Sequence, residues 1–146
     1  NKKIDVLVFL RDDKSKEVEP NNNRSINYTP LLEHLKKKKR EVTLYDPINQ
    51  TKNYLDQINL IKNCNYLIVE YGASLWLNGL FAKNLIVISP PCLMHTKSSF
   101  YAPHLNNFYE CVEKHSNIFH LTTNTNYQEI KPEKFLDLDS FFDKND

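Results

Sequence analysis

The sequence predicts an α/β domain built on a doubly wound, mostly parallel sheet. Short apolar runs, at residues 4–10 and 66–69 for example, are typical of strands that are buried on both faces. Segments with a helical apolar stripe alternate with these runs, and polar stretches containing Pro or Asn separate them. Alternation of strands and helices favours parallel strands that are joined by right-handed crossovers.

The predicted elements follow one another in a regular order. Thr29 and Pro30 read as the N-cap and the first position of the first helix, and residues 36–40 place positive charge at its end. Five strands are predicted near 4–10, 42–45, 66–69, 85–88 and 117–121, and helices follow them near 29–40, 51–63, 74–83, 105–115 and 132–142. We expect a five-stranded Rossmann-like sheet in the order 3-2-1-4-5, with helices on both faces.

Length and composition exclude several classes of protein. A chain of 146 residues with 40% apolar residues can form one globular domain with its own core. No apolar run reaches the roughly 18 residues that a membrane span needs, so no span is expected in this chain. A net charge of +1 lacks the basic bias of a duplex-DNA binder, and we expect no nucleic-acid partner.

In open α/β sheets, ligands bind outside the carboxyl ends of the strands. Residues 70–74 leave a buried strand there and enter a helix. Gly72 permits a positive φ or a close approach of a ligand to the backbone. Ser74 is a candidate cap for that helix, whose free N–H groups would face an anion such as a diphosphate. The alternative is a tight turn that binds nothing.

Arg11 and Arg24 are candidate phosphate ligands, because both lie in or beside the long polar loop after the first strand. The planar guanidinium group binds phosphate through two parallel hydrogen bonds. Surface ion pairing is the alternative for both residues. Gln57, at the edge of the apolar stripe of the second helix, is either solvated or reaches a neighbouring turn.

These residues together resemble glycosyltransferase family 61. The resemblance spans about residues 5–90 and rests on four motifs in order: Arg24-Ser25-Ile26-Asn27, then Gln57-Ile58, then the run from Asn65 through Glu70-Tyr71-Gly72-Ala73-Ser74 to Leu75, and finally Asn78 with Leu80-Phe81. The family carries an R-x-I-x-N element, a later Gln-Ile pair, and a strand followed by H-G-A-G-L-x-N-x-x-F. Here Tyr71 replaces the His, Ser74 replaces the second Gly, and one extra residue precedes Asn78.

The resemblance implies the donor-binding half of a GT-B fold, with inverting, metal-independent transfer from a nucleotide sugar that we expect to be UDP-linked. It implies a glycan or protein acceptor and a catalytic base on a second domain. Residues 1–146 would then form a single Rossmann-like domain, the C-terminal half of a longer two-domain protein. The implied donor-binding residues are Arg11, Arg24, Asn27, Gln57, Tyr71, Gly72, Ala73, Ser74 and Asn78.

The sequence leaves two alternatives open. One is a non-catalytic Rossmann-like binding or interaction domain, which the missing His favours. The other is a different α/β enzyme whose motif overlaps by chance. We expect no metal or other cofactor, because Cys92 and His95 lack a second ligand pair at zinc spacing.

The three cysteines are expected to be free, buried thiols, which favours the cytoplasm slightly over the ER or Golgi lumen that the resemblance suggests. Trp76 lies among apolar residues on the helix after Gly72. We expect its side chain to pack against the sheet or against a partner domain.

Overall fold

The computed structural model describes residues 3–10, 26–46, 53–89, 102–125 and 128–146, with the backbone alone at 73–74 and 102–106. The strands are β1 (Ile4–Phe9), β2 (Val42–Tyr45), β3 (Cys64–Glu70), β4 (Asn84–Ser89) and β5 (Asn117–Thr122). The helices are α1 (Thr29–Lys37), α2 (Tyr54–Lys62), α3 (Ala73–Asn78), α4 (Ala102–Glu113) and α5 (Lys134–Asn145), and a 3-10 turn covers Gly79–Phe81. All strand pairs of this sheet are parallel, which confirms the predicted fold class.

The strand order is β2-β1-β3-β4-β5, so the predicted order 3-2-1-4-5 is wrong. β3 lies between β1 and β4, and residues 66–70 are buried. β2 has only four residues, and Leu44 is exposed. A strand that is apolar on both faces belongs in the centre of a sheet, whereas a short strand with an exposed residue tolerates the edge.

The core consists of two apolar layers, one on each face of the sheet. α2, α3 and α4 cover one face, called here the α2–α4 face, through buried residues such as Ile61, Leu75 and Tyr109. α1 and α5 cover the other, the α1/α5 face, through Leu35 and Phe142 among others. Burial of one such side chain contributes about 1.5–3 kcal/mol to the stability of the fold. Each layer therefore stabilises the helices that pack on its own face of the sheet.

The start of α1 differs by one residue from the prediction. Tyr28 is the N-cap, Thr29 is the first helical residue, and Pro30 follows it. The side-chain Oδ1 of Asn27 accepts a hydrogen bond from the backbone N–H of Thr29 at 3.2 Å. Thr29 is therefore the first residue of the helix and not its cap.

α1 ends in a Schellman motif that has a lysine at the position where glycine is usual. Lys39 has a φ of 59°. Its N–H donates to the carbonyl of Lys36, and the N–H of Arg40 donates to the carbonyl of Leu35, each at 2.9 Å. These two bonds satisfy carbonyl groups at the helix end, and the left-handed backbone of Lys39 is the cost of making them.

Arg40 links α5 to the amino end of the sheet through its ion pairs. Its guanidinium group pairs with Asp5 at 3.1 Å and with Asp146, and it lies 4.1 Å from the ring centre of Phe142. The Tyr66 hydroxyl donates to the same Asp146 carboxylate at 2.8 Å. Burial lowers the pKa of Arg40, but hydrogen bonding and attraction to the two carboxylates outweigh burial and raise the pKa.

Two expectations about single side chains need correction. Trp76 packs edge-on against Phe108 of α4, with ring centres 4.9 Å apart, but 37% of it is exposed, so it is not buried against the sheet. Contact of Trp76 with a partner domain, the other arrangement expected, stays a prediction. Cys64 is a buried free thiol as expected, whereas Cys111 is a free thiol on the exposed side of α4. The third cysteine, Cys92, lies outside the described residues.

The length and the apolar character of the helices bear on membrane insertion. In the described ranges, no helix combines the length and the apolar character that crossing a bilayer requires.

Candidate functional site

The carboxyl ends of β1 and β3 form the topological switch point of this sheet. After β1 the chain crosses to β2 on one side, and after β3 it crosses to β4 on the other. The crevice between two such strands is where doubly wound domains bind ligands. The turn at residues 71–72 follows β3 directly. Arg11 and Arg24, the predicted phosphate ligands in the loop after β1, lie outside the described residues.

Gly72 has a positive φ, which is one of the two roles that the sequence allows for this glycine. Its φ of 139° and ψ of −158° fall in a region that is essentially restricted to glycine. Its carbonyl accepts hydrogen bonds from the N–H groups of Leu75 at 3.1 Å and Trp76 at 3.3 Å, which begin α3. The turn therefore depends on glycine at this position.

α3 is shorter than the predicted helix at 74–83. It ends at Asn78 after six residues, and the chain continues as the 3-10 turn. Gly72 is its N-cap, so the prediction that Ser74 caps the helix is wrong: Ala73 and Ser74 form its first turn. The side chains of these two residues lie outside what the structure describes. A helix of six residues has a weak macrodipole, so attraction of an anion to its N-terminus cannot carry the site by itself.

Two of the predicted site residues are in direct contact. The side-chain amide of Gln57 on α2 donates to the side-chain oxygen of Asn78 at the end of α3, at 2.7 Å. The hydroxyl of Tyr45, the last residue of β2, donates to the side-chain oxygen of Gln57 at 3.2 Å. Gln57 thus reaches a neighbouring helix and is not merely solvated. This chain of hydrogen bonds holds the segment after Gly72 against α2.

Asn27 does not join this group in the described structure. Its side chain is exposed and bonds to the N–H of Thr29, and its own N–H donates to the carbonyl of Gln128 at 2.8 Å. These contacts place it beside the start of α1 on the α1/α5 face, whereas Asn78 and Gln57 belong to helices of the other face. Its observed role is to order the approach to α1.

Glu70 is a candidate functional residue that the sequence reasoning missed. It is the last residue of β3, only 5% of it is exposed, and it lies at the switch point. One of its carboxylate oxygens accepts a hydrogen bond from the hydroxyl of Tyr28, which caps α1. The signal was present in the sequence, because Glu70 is a single carboxylate at the end of an apolar strand, where burial is costly unless it is compensated.

A second missed group lies on the α2–α4 face, at the carboxyl ends of β3, β4 and β5. We call it the strand-end cluster; its members are Tyr71, Ser89, Tyr109, His120 and Thr122. Ser89 and Thr122 are register partners, and the rings of Tyr109 and His120 meet edge-on at 4.9 Å. Burial, followed by the nearby Tyr71, raises the pKa of Tyr109, so its hydroxyl stays protonated. Polar residues that end otherwise apolar strands were the sequence signal.

Two grooves in the described part of the chain lie at the opposite, amino edge of the sheet. One of about 350 Å³ is lined by Asp5, Arg40, Asp139 and neighbouring residues, and one of about 280 Å³ by residues near the start of β5. In the larger groove Arg40 pairs with Asp5 and Asp146, and Lys38 pairs with Asp139. These charges are therefore paired with one another within the groove.

The metal-binding side chains of the described ranges are spread over the molecule. Within those ranges, no three His, Cys, Asp or Glu side chains group closely enough to hold a metal ion. No known protein family matches the sequence, and no curated protein shows significant similarity to it.

Proposed function

We propose that this chain is the nucleotide-sugar-binding domain of an inverting, metal-independent glycosyltransferase. The observation that carries the proposal is the 2.7 Å hydrogen bond between Gln57 and Asn78. These residues correspond to the Gln of the Gln-Ile pair and to the Asn after the H-G-A-G-L element in the resembling family. Contact between two separate motif residues is the arrangement expected if both motifs serve one site.

The position of the Gly72 turn supports the same function. It follows β3 at the switch point, and the glycine-only backbone leaves no Cβ between the chain and a ligand. Glu70, at the same edge, carries a carboxylate and would repel a diphosphate. The positive charge that a diphosphate requires would come from Arg24, with Arg11 as a second donor.

In this function the domain would stabilise the leaving group, a nucleoside diphosphate. In an inverting transfer, the acceptor hydroxyl attacks the anomeric carbon while the bond to the nucleoside diphosphate breaks, and negative charge grows on the diphosphate. Fixed hydrogen-bond donors can stabilise that charge without a metal ion. The base that removes the proton from the glycan or protein acceptor would belong to the second domain.

A non-catalytic nucleotide-sugar-binding domain is the second candidate function. Tyr71, which stands where the resembling family has His, is buried in the strand-end cluster and forms part of the core. A buried phenol is a poor substitute for an imidazole at a reacting centre. In this case the domain would bind the donor and transfer nothing.

Calorimetric titration with UDP and UDP-sugars, in the presence of a chelator, tests the proposal. We expect binding by the wild-type chain and a loss of about 10- to 150-fold in Arg24→Ala, because charge-assisted hydrogen bonds contribute about 1.5–3 kcal/mol. Lys36→Ala, which removes an exposed charge from α1, is the control and should bind as the wild type does. Equal losses in both variants would indicate unspecific attraction and reject the site.

A transfer assay separates the two candidate functions. Donor binding together with sugar transfer, measured with the full-length protein, supports the glycosyltransferase. Donor binding without transfer or donor hydrolysis supports the non-catalytic domain. Absence of UDP and UDP-sugar binding at millimolar concentration rejects both.

A further inference from the structure

Two hydroxyl groups in the strand-end cluster are buried without a hydrogen-bond partner among the described residues. They are Ser89 Oγ at the end of β4 and Thr122 Oγ1 at the end of β5. Ser89 is 0% exposed and Thr122 is 2% exposed. The two residues are partners in the parallel register, and both side chains point to the α2–α4 face.

A hydroxyl group buried in this way destabilises the unliganded protein. Transfer of a hydroxyl group from water without a new hydrogen bond is unfavourable, and native proteins leave few such groups. Valine or alanine would fill the same space without this cost, as Val87 does two residues earlier on the same face. Unsatisfied polar groups at the carboxyl edge of a doubly wound sheet therefore indicate a ligand that supplies the missing partner.

We propose that Ser89 and Thr122 form a hydrogen-bonding subsite for an uncharged part of the nucleotide sugar. This inference rests on the proposed function. A hydroxyl group both donates and accepts, so the pair suits a partner that does the same, such as a sugar hydroxyl or the amide edge of a base. Tyr71 extends β3 beside Ser89, since its N–H donates to the carbonyl of Ile88 at 2.9 Å. The subsite is thus continuous with the Gly72 turn.

Thr122→Val tests the subsite, because valine keeps the shape of threonine and removes only the hydroxyl. We expect the melting temperature of the unliganded protein to rise by about 2–6 °C, since the cost of the unsatisfied group disappears. We expect the affinity for UDP-glucose to fall by roughly 5- to 30-fold, because the ligand loses a hydrogen-bond partner. Ser89→Ala should lower affinity in the same way.

Thr123→Val is the matched control. Thr123 is the next residue and is 0% exposed, but its hydroxyl donates to the carbonyl of Asn124 at 2.9 Å. The control should melt about 2–4 °C lower than the wild type, because it breaks an existing bond, and should keep its affinity. Opposite changes in stability at the two adjacent buried threonines would show that only the Thr122 hydroxyl lacks a partner. A loss of affinity in Thr122→Val, but not in Thr123→Val, would show that the ligand supplies that partner.

The ligands used distinguish the source of the hydrogen bonds. If the base or ribose makes them, Thr122→Val weakens UDP and UDP-glucose equally; if the sugar makes them, only UDP-glucose weakens. A melting temperature for Thr122→Val that is unchanged or lower overturns the inference, because the hydroxyl is then already satisfied, by a buried water for example. A higher melting temperature with unchanged affinity also overturns it. Absence of nucleotide binding by the wild type rejects the proposed function and the subsite together.

Discussion

Gln57 and Asn78 lie on different helices, and their side-chain amides are joined by a 2.7 Å hydrogen bond. Asn78 is buried, whereas Gln57 is partly exposed and also accepts a bond from the hydroxyl of Tyr45. Gln57 is therefore the middle member of a series of hydrogen bonds that runs from Tyr45 at the end of β2 to Asn78 at the end of α3. The Gly72 turn therefore lies between two fixed points: β3 precedes it, and the hydrogen bond between Gln57 and Asn78 anchors the helix that follows it.

Gln57→Ala is expected to destabilise the protein by about 1–2 kcal/mol, because the buried oxygen of Asn78 loses a donor. Chemical denaturation monitored by circular dichroism measures the free energy of unfolding. Asn59→Ala, on the exposed side of the same helix, is the control and should change that free energy by no more than about 0.5 kcal/mol. Equal effects would show that the hydrogen bond adds nothing beyond helix propensity.

Replacement of Gly72 should be costly with any side chain. Its φ of 139° and ψ of −158° lie outside the left-handed helical region that asparagine tolerates. Gly72→Ala and Gly72→Asn should therefore both lose about 1–3 kcal/mol of stability in thermal or chemical unfolding. Rescue of stability by Asn relative to Ala would contradict the observed geometry, because it would place residue 72 in the left-handed helical region.

Lys39→Gly should stabilise the protein by about 0.5–1 kcal/mol, since Lys39 has a φ of 59° at the C′ position of a Schellman motif. Lys38→Gly is the matched control at the preceding residue, which has an ordinary φ of −83°. It should destabilise the protein by up to about 1 kcal/mol through backbone entropy alone. Thermal melts of the two variants must move in opposite directions for this prediction to hold.

The contact between Arg40 and Asp146 predicts a dependence of stability on pH. Burial raises the pKa of Asp146, but hydrogen bonds from Arg40 and Tyr66 outweigh burial and hold the pKa below its ordinary value of 3.8. A carboxyl group with a lower pKa in the folded state stabilises the fold above the unfolded-state pKa, and it loses that contribution as the pH falls through the folded-state pKa. The wild type should therefore be more stable than Asp146→Asn near neutral pH.

The difference in melting temperature between these two proteins should shrink as the pH falls below about 4, since the ordinary pKa of Asp is close to that value. In an Arg40→Leu background, Asp146→Asn should have a smaller effect at every pH, because the main partner of the carboxylate is gone. A constant difference across the pH range would show that titration of Asp146 does not contribute.

The strands could be predicted from sequence because short, continuous apolar runs, such as residues 66–69, are typical of buried strands when turn residues bound them. Their order could not be deduced from alternation alone. The exposure of Leu44 in a short strand and the burial of residues 66–70 in β3 are consistent with the observed order, and both depend on the neighbours that each strand finds. The end of α1 could not be predicted either. A glycine normally indicates the end of a helix, and here Lys39 occupies that position.

The candidate site was predictable where backbone geometry demands one residue type. The positive φ of Gly72 follows from a lone glycine between a strand and a helix, and the Gln57–Asn78 contact joins residues that motif order had singled out. Ser89 and Thr122 are each a polar residue at the end of an apolar strand, but backbone geometry does not demand serine or threonine at either position. Only the parallel register shows that their hydroxyl groups share one buried edge. The predicted roles of Arg11 and Arg24 remain predictions.

The central position of β3 also constrains the order in which a growing chain can fold. Ile4 pairs with Cys64, so β1 lacks its inner neighbour until the ribosome has released residues 64–70. Before that moment β1 and β2 form at most a two-stranded ribbon, which is marginally stable in water. We therefore expect the first half of the nascent chain to depend on chaperones or to stay unfolded, and the sheet to form outward from β3 once it emerges.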